Sequence, residues 1–191
     1  MAKTQKVDLA FIKANFGLGR NTQTKEASEQ EFMDTFARTF LAWQNVEAQL
    51  FLLFNTLVRT QDHNLTSAVF HSVVSLEVRL AMVSAAIQIA LARKSALLKK
   101  WETVKNKIEN RYRNRNTLAH FSLSGHTSGR GKFSLRLRPS IFNVRASKQD
   151  YDCRQLKEFG ITFTQLATDL RAFTDDLLRV VPQCPSPKRS A

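Results

Sequence analysis

The stretch LKEFGITFTQLATDLRAFTDDLLRV, residues 156–180, decides the fold class. Leu156, Phe159, Phe163, Leu166, Leu170, Phe173, Leu177 and Val180 recur at alternating steps of three and four. That spacing gathers large apolar side chains into one stripe of an α-helix and leaves the charges on the opposite side. Gly160 falls off the stripe, where it weakens the helix by ~1 kcal/mol without breaking the pattern. A helix over about 152–181 follows, and its stripe requires other helices to cover it.

The same period recurs upstream. Phe36, Trp43, Leu50 and Leu57 repeat every seven residues, interleaved with Phe40, Glu47 and Phe54, which predicts a helix over about 28–60. Ser28 and Glu31 have the spacing of a capping box at its start. QDHN then signals a turn. Phe70, Val73, Val74, Leu80, Ile87 and Leu91 mark a second helix, about 65–93, with Glu77 near its apolar face. Trp101, Val104, Ile108, Tyr112, Leu118 and Ala119 mark a third, about 96–120, with Arg115 in line with Trp101 and Ile108.

Between the third and last helices the period changes. GHTSGRG holds three of the six glycines. In KFSLRLRPSIFNV, Phe133, Leu135 and Leu137 alternate with Ser134, Arg136 and Arg138, a strand pattern that can pair with HFSLS as a short ribbon. The fold class expected is therefore all-α: a four-to-five-helix bundle with a β-ribbon at about 121–144. Residues 1–27 read as an N-terminal arm, 28–181 as one helical domain and 182–191 as a flexible tail.

The net charge of +13 is concentrated. Residues 93–145 hold fourteen Lys/Arg against two acids, or +12, whereas residues 28–92 hold three against six, or −3. Such a segment attracts polyanions, nucleic acid first. Cys153 and Cys184 suggest neither a disulfide framework nor a metal site. No apolar run approaches the ~18 residues of a membrane span. These features read as a cytoplasmic chain with no membrane partner.

The densest part of the basic segment is RYRNRNTLAH, residues 111–120. Arginine and histidine near a helix C-terminus suit the macrodipole and the last carbonyls, which accounts for one or two of them. Arg115 is different, because a guanidinium on the apolar side is costly unless paired. Glu47 and Glu77 are the carboxylates expected to pair with it. The same residues also suit RNA cleavage without metal. Histidine titrates near neutral pH and can move protons at the ribose 2′-OH or the leaving 5′-oxygen. The arginine fork matches phosphate oxygens, and asparagine can orient either group. On a continuous helix Arg113, Asn116 and His120 share a face, while Arg115 lies roughly 140° from His120. Arg115 would join them if the helix unwound near its end or if two chains shared a site.

RNTLAH resembles the R-x4-6-H signature of HEPN domains, small helical domains that include metal-independent ribonucleases of toxin–antitoxin, abortive-infection and CRISPR systems. WQNVEAQLFLLFNTL, VFHSVVSLEVRLAMV and RNRNTLAHFS follow in the family's order, so the resemblance covers roughly residues 30–123. It implies a HEPN-like bundle and a homodimer whose Arg–His motifs meet at the interface. It also implies that Arg115 contacts the scissile phosphate, that Asn116 is the polar residue beside it and that His120 supports the reaction. Arg113, six residues before His120, is a second possible register, and Glu47 and Glu77 are supporting residues. Arg111, Arg130, Lys132, Arg136 and Arg138 are candidates to grip the RNA backbone. An antitoxin or regulatory partner would fit a toxin or defence role. No cofactor or metal is needed. The alternative is a non-catalytic HEPN-like module that binds RNA or an acidic protein. His63, His71 and His126 read as solvated or structural residues.

Overall fold

The computed structural model describes residues 22–60, 62–92, 94–127, 133–139 and 150–180. Among them are five helices and one two-stranded antiparallel sheet: α1 (Thr22–Val58), α2 (His63–Ser72), α3 (Leu76–Ala90), α4 (Ser95–His120), β1 (Phe121–Thr127), β2 (Phe133–Pro139) and α5 (Cys153–Val180). The expected helical architecture with its ribbon is present. No described helix is long and apolar enough to cross a membrane.

Two expected boundaries change. α1 is already helical at Thr22, so Ser28 and Glu31 lie inside it and do not cap it. The helix expected over 65–93 is two helices. Val73 adopts an extended backbone at the end of α2, and Ser75 is extended at the start of α3. Asp62 caps α2 by accepting from the Leu65 amide at 2.9 Å. At the other end of α2, Arg79 Nε donates to the Val73 carbonyl at 2.7 Å, which supplies a partner for backbone that the break would otherwise leave bare.

The chain folds into two compact units. The larger, Arg38–Asn116 with Glu158–Ala191, carries the main helical core. Trp43, Leu50, Leu53, Phe70, Leu80, Ile87, Trp101, Ile108, Phe163, Leu170 and Phe173 are buried there. Trp43 packs edge-on to Phe163 at 5.1 Å, and Trp101 lies 5.5 Å from Phe173 while its indole N–H donates to Ser84 Oγ. Gly160 lets α5 approach α1 closely: a methyl group there would stand 3.1 Å from Thr39 Oγ1. Lys100 pairs with Asp176, and Lys107 pairs with Asp169 at 2.8 Å. The two pairs sit seven residues apart on each helix in opposite order, so α4 and α5 run antiparallel.

The smaller unit, Met1–Ala37 with Thr117–Lys157, holds the ribbon. β1 and β2 pair in the register Leu123↔Leu137 and Ser124↔Arg136. Directly opposed residues share a face. Ser122, Ser124, Ser134, Arg136 and Arg138 therefore lie on one side and Phe121, Leu123, Leu135 and Leu137 on the other. Tyr151 fastens β2 by two backbone hydrogen bonds to Leu137, and its ring lies 5.6 Å from Phe121. Asp152 and Gln155 form a reciprocal capping box at the start of α5.

Candidate functional site

α4 is continuous through His120. The motif therefore sits on regular helix, with no unwinding before its last residue. Within one chain, helical geometry sets Arg115 roughly 140° around the axis from His120, whereas Asn116 and His120 are roughly 40° apart.

In the larger unit, Trp101 and Ile108 are buried and Arg115, two turns further on, is half-buried. This matches its position in line with them. Arg115 donates through one terminal nitrogen to Asn116 Oδ1 at 3.3 Å, and its guanidinium lies 5.9 Å from the centre of the Tyr112 ring. Its Nε is buried and has no hydrogen-bond partner. No carboxylate pairs with it among the described residues.

The expected partners of Arg115 are engaged or placed elsewhere. Glu47 accepts from Trp43 Nε1 at 2.6 Å and forms an ion pair with Arg79 at 3.2 Å. Arg79 also lies 5.3 Å from the Phe70 ring centre. Glu47 therefore belongs to a network that joins α1, the end of α2 and α3. Glu77 is exposed in the first turn of α3 and forms no ion pair with an arginine among the described residues. Arg111 and Arg113 are exposed, and Arg113 has an interaction partner. His71 is exposed with its ring 5.3 Å from Phe51, and His63 is hydrogen-bonded to Asn55. Both are consistent with structural or solvated histidines.

In the smaller unit, His120 is exposed at the end of α4, one residue before β1. Arg136 is half-buried on the polar face of the ribbon, and its Nε is buried without a hydrogen-bond partner. Arg138 is committed to Asp150 at 2.8 Å. Arg130 and Lys132 lie outside the described residues, as does the side chain of His126. Among the described residues no group of three or more His, Cys, Asp or Glu is placed to hold a metal ion.

Two features stand out chemically. Arg115 and Arg136 each bring a guanidinium partly out of water with no carboxylate partner among the described residues. A buried donor without an acceptor costs about 1–3 kcal/mol, more when charged, and because neither Nε is open to solvent a phosphate would have to meet these groups through their terminal nitrogens. The unpaired Nε atoms depend on side-chain packing and have no signature in the sequence pattern. Comparison with protein-family models, curated proteins and solved structures finds no match.

Proposed function

We propose that this chain is a metal-independent endoribonuclease of HEPN type, of toxin or phage-defence character. It acts on RNA as a cytoplasmic homodimer whose two motif copies together furnish Arg115, Asn116 and His120. The observation that carries this reading is the half-buried Arg115, held by Asn116 and packed on Tyr112, with no carboxylate partner among the described residues. A phosphodiester that meets the terminal guanidinium nitrogens would take up the charge.

In this mechanism the 2′-oxygen attacks phosphorus as its proton leaves. The bond from phosphorus to the 5′-oxygen then breaks as that oxygen gains a proton. His120 serves proton transfer, Arg115 stabilises the extra charge on the phosphorus oxygens, and Asn116 holds the guanidinium in place. Arg111 and Arg136 provide backbone contacts. A second reading, a non-catalytic module that binds RNA or an acidic protein, is favoured by the regular helix through His120, because Arg115 and His120 then diverge within one chain.

The test is incubation of the purified protein with RNA in EDTA, beside Arg113→Ala, Arg115→Ala and His120→Ala proteins of verified fold. Cleavage by the parent and by Arg113→Ala alone supports the nuclease and the Arg115 register. RNA left intact by every protein, with salt-sensitive binding that survives His120→Ala, supports the binding module.

A further inference from the structure

We propose that the outer edge of β1 is a docking strand for an extended acidic segment of another protein, which joins the ribbon as a third hydrogen-bonded strand. The register fixes which groups that edge offers. Tyr151 exchanges both backbone hydrogen bonds with Leu137, at 2.9 Å each, so the N–H and C=O of Leu137 face away from β1. Pairing alternates along an antiparallel ladder. Arg136 and Arg138 therefore face β1 and bond to Ser124 and Ser122, whereas Leu123, opposite Leu137, turns its N–H and C=O outward. Phe121, Gly125 and Thr127 do the same. No described strand pairs with that edge. A row of outward donors and acceptors at this repeat is matched by an extended backbone. The two edges of the ribbon also differ in protection. Strand edges are ordinarily blunted by charge, proline or cover. β2 has all three: Arg136 and Arg138, Pro139 at its end and the Tyr151 bridge. β1, FSLSGHT, has no Lys, Arg, Asp, Glu or Pro, and Ser122, Gly125 and Thr127 are exposed.

The register also selects the chemistry of the occupant. An added strand sets alternate side chains beside Leu123 on the apolar face and beside Ser122 and Ser124 on the polar face. On the polar face Arg136 is half-buried with no carboxylate partner among the described residues. Ser124, directly opposite it, is the small residue that separates it from the new strand. That separation is two strand spacings, about 10 Å, which an arginine and a glutamate reaching toward each other span. Alternating apolar and acidic residues therefore fit this edge. The chain's own segments outside the described residues do not match: 1–21, 128–132, 140–149 and 181–191 are each net basic. A second copy of β1 brings no carboxylate either. The inference does not rest on the nuclease reading, since β1 carries none of Arg115, Asn116 or His120 and the readouts are binding and amide exchange.

The test uses the full chain, freed of nucleic acid, at about 0.15 M salt, with a short fluorescent peptide of alternating valine and glutamate as the probe. Anisotropy is expected to show saturable binding. Amide exchange followed by NMR should slow at Leu123 and Gly125 and stay unchanged at Ser122 and Ser124, which are already paired with β2. Leu123→Pro removes an outward N–H without breaking the ladder to β2, and it should weaken binding at least about tenfold. If that variant misfolds, N-methylation of the peptide amides that face β1 should have the same effect, and methylation of the other set should not. A peptide with lysine in place of glutamate should bind at least about tenfold more weakly. Binding indifferent to Leu123→Pro and to N-methylation, an unchanged Leu123 amide, or equal affinity for the lysine peptide overturns the proposal. So does a Leu123 amide protected in the parent alone and released on dilution, which would assign the edge to a second copy. Protection of that amide by single-stranded RNA but not by the peptide overturns it in favour of nucleic acid.

Discussion

Replacing Arg79 with methionine is expected to destabilise the protein by about 3 kcal/mol, although Arg79 lies far along the sequence from the motif. The magnitude follows from what the guanidinium holds. Its ion pair with Glu47 is 3.2 Å long, with the two side chains only 13% and 22% exposed. Removing one partner of a fully buried pair costs about 3–5 kcal/mol, whereas exposed pairs contribute about 0–1 kcal/mol. This pair lies between the two limits, so about 2 kcal/mol is assigned to it. The bond from Nε to the Val73 carbonyl adds about 1 kcal/mol, because that carbonyl sits at the break between α2 and α3. Methionine keeps an apolar stem over Phe70, so lost packing contributes little. Glu47→Gln is milder, at about 1–2 kcal/mol, because its amide oxygen still accepts from Trp43 and Arg79 keeps Val73.

Urea denaturation of the parent, both single variants and the double variant closes a thermodynamic cycle. The double variant should lose about 1–2 kcal/mol less than the sum of the singles, since once either partner is gone the other has little left to lose. Arg79→Lys keeps the charge but cannot serve Val73 and Glu47 with one planar fork, and it should recover only part of the loss. Additivity within about 0.5 kcal/mol, or an Arg79→Met loss below about 1 kcal/mol, would refute the network as the element that stabilises the helix break.

Burial pushes the Asp169 carboxyl up, but hydrogen bonds from Lys107 and Gln165, with the charges of Lys107 and Lys100, outweigh it and hold the carboxyl below its ordinary value. The unfolded chain then binds more protons, so this contribution is present above about pH 4 and is lost as pH falls through the lower folded value. Thermal melts should show Asp169→Asn less stable than the parent at pH 6, with the gap closing in acid. Arg59 ends α1 with φ of 54°, a left-handed conformation unfavourable for a side chain. Arg59→Gly should raise stability by about 0.5–1 kcal/mol, measured by chemical denaturation. Gly160→Ala should cost about 1 kcal/mol, because crowding against Thr39 exceeds the gain in helix propensity. In a Thr39→Ala background the same change should become stabilising, as a urea cycle can show.

The sequence pattern made the helices legible where one face had to be buried. The stripe from Leu156 to Leu177 is buried at nearly every position, and the alternation from Phe133 to Arg138 forms a strand paired with the HFSLS segment. The break at Val73–Ser75 was not legible, because the apolar spacing of Phe70, Val73, Leu80 and Ile87 continues across it. What stabilises the break is Arg79, a tertiary contact with Glu47 that periodicity does not encode. Capping shows the same limit. Ser28 and Glu31 have the spacing of a box but lie inside α1, whereas Asp152 and Gln155 form one. The three-residue spacing is common to both. They differ in backbone: helix already precedes Ser28, while the chain enters α5 only at Cys153.

Charge counting needs the same correction from tertiary structure. The +12 of residues 93–145 suggests a broad field for a polyanion, yet much of it is already answered. Lys100 and Lys107 are paired with carboxylates of α5, Lys105 lies 3.9 Å from both Glu102 and Glu109, and Arg138 is paired with Asp150. Arg111, Arg115 and Arg136 have no carboxylate partner among the described residues. Two of these three also have a buried Nε without an acceptor. An exposed lysine in a pair loses little when the pair exchanges for phosphate, and it gains equally little. A partly buried arginine without a carboxylate partner gains the neutralisation it lacks. On the proposed reading, phosphate contacts depend less on the number of basic residues than on the guanidinium groups without a carboxylate partner among the described residues.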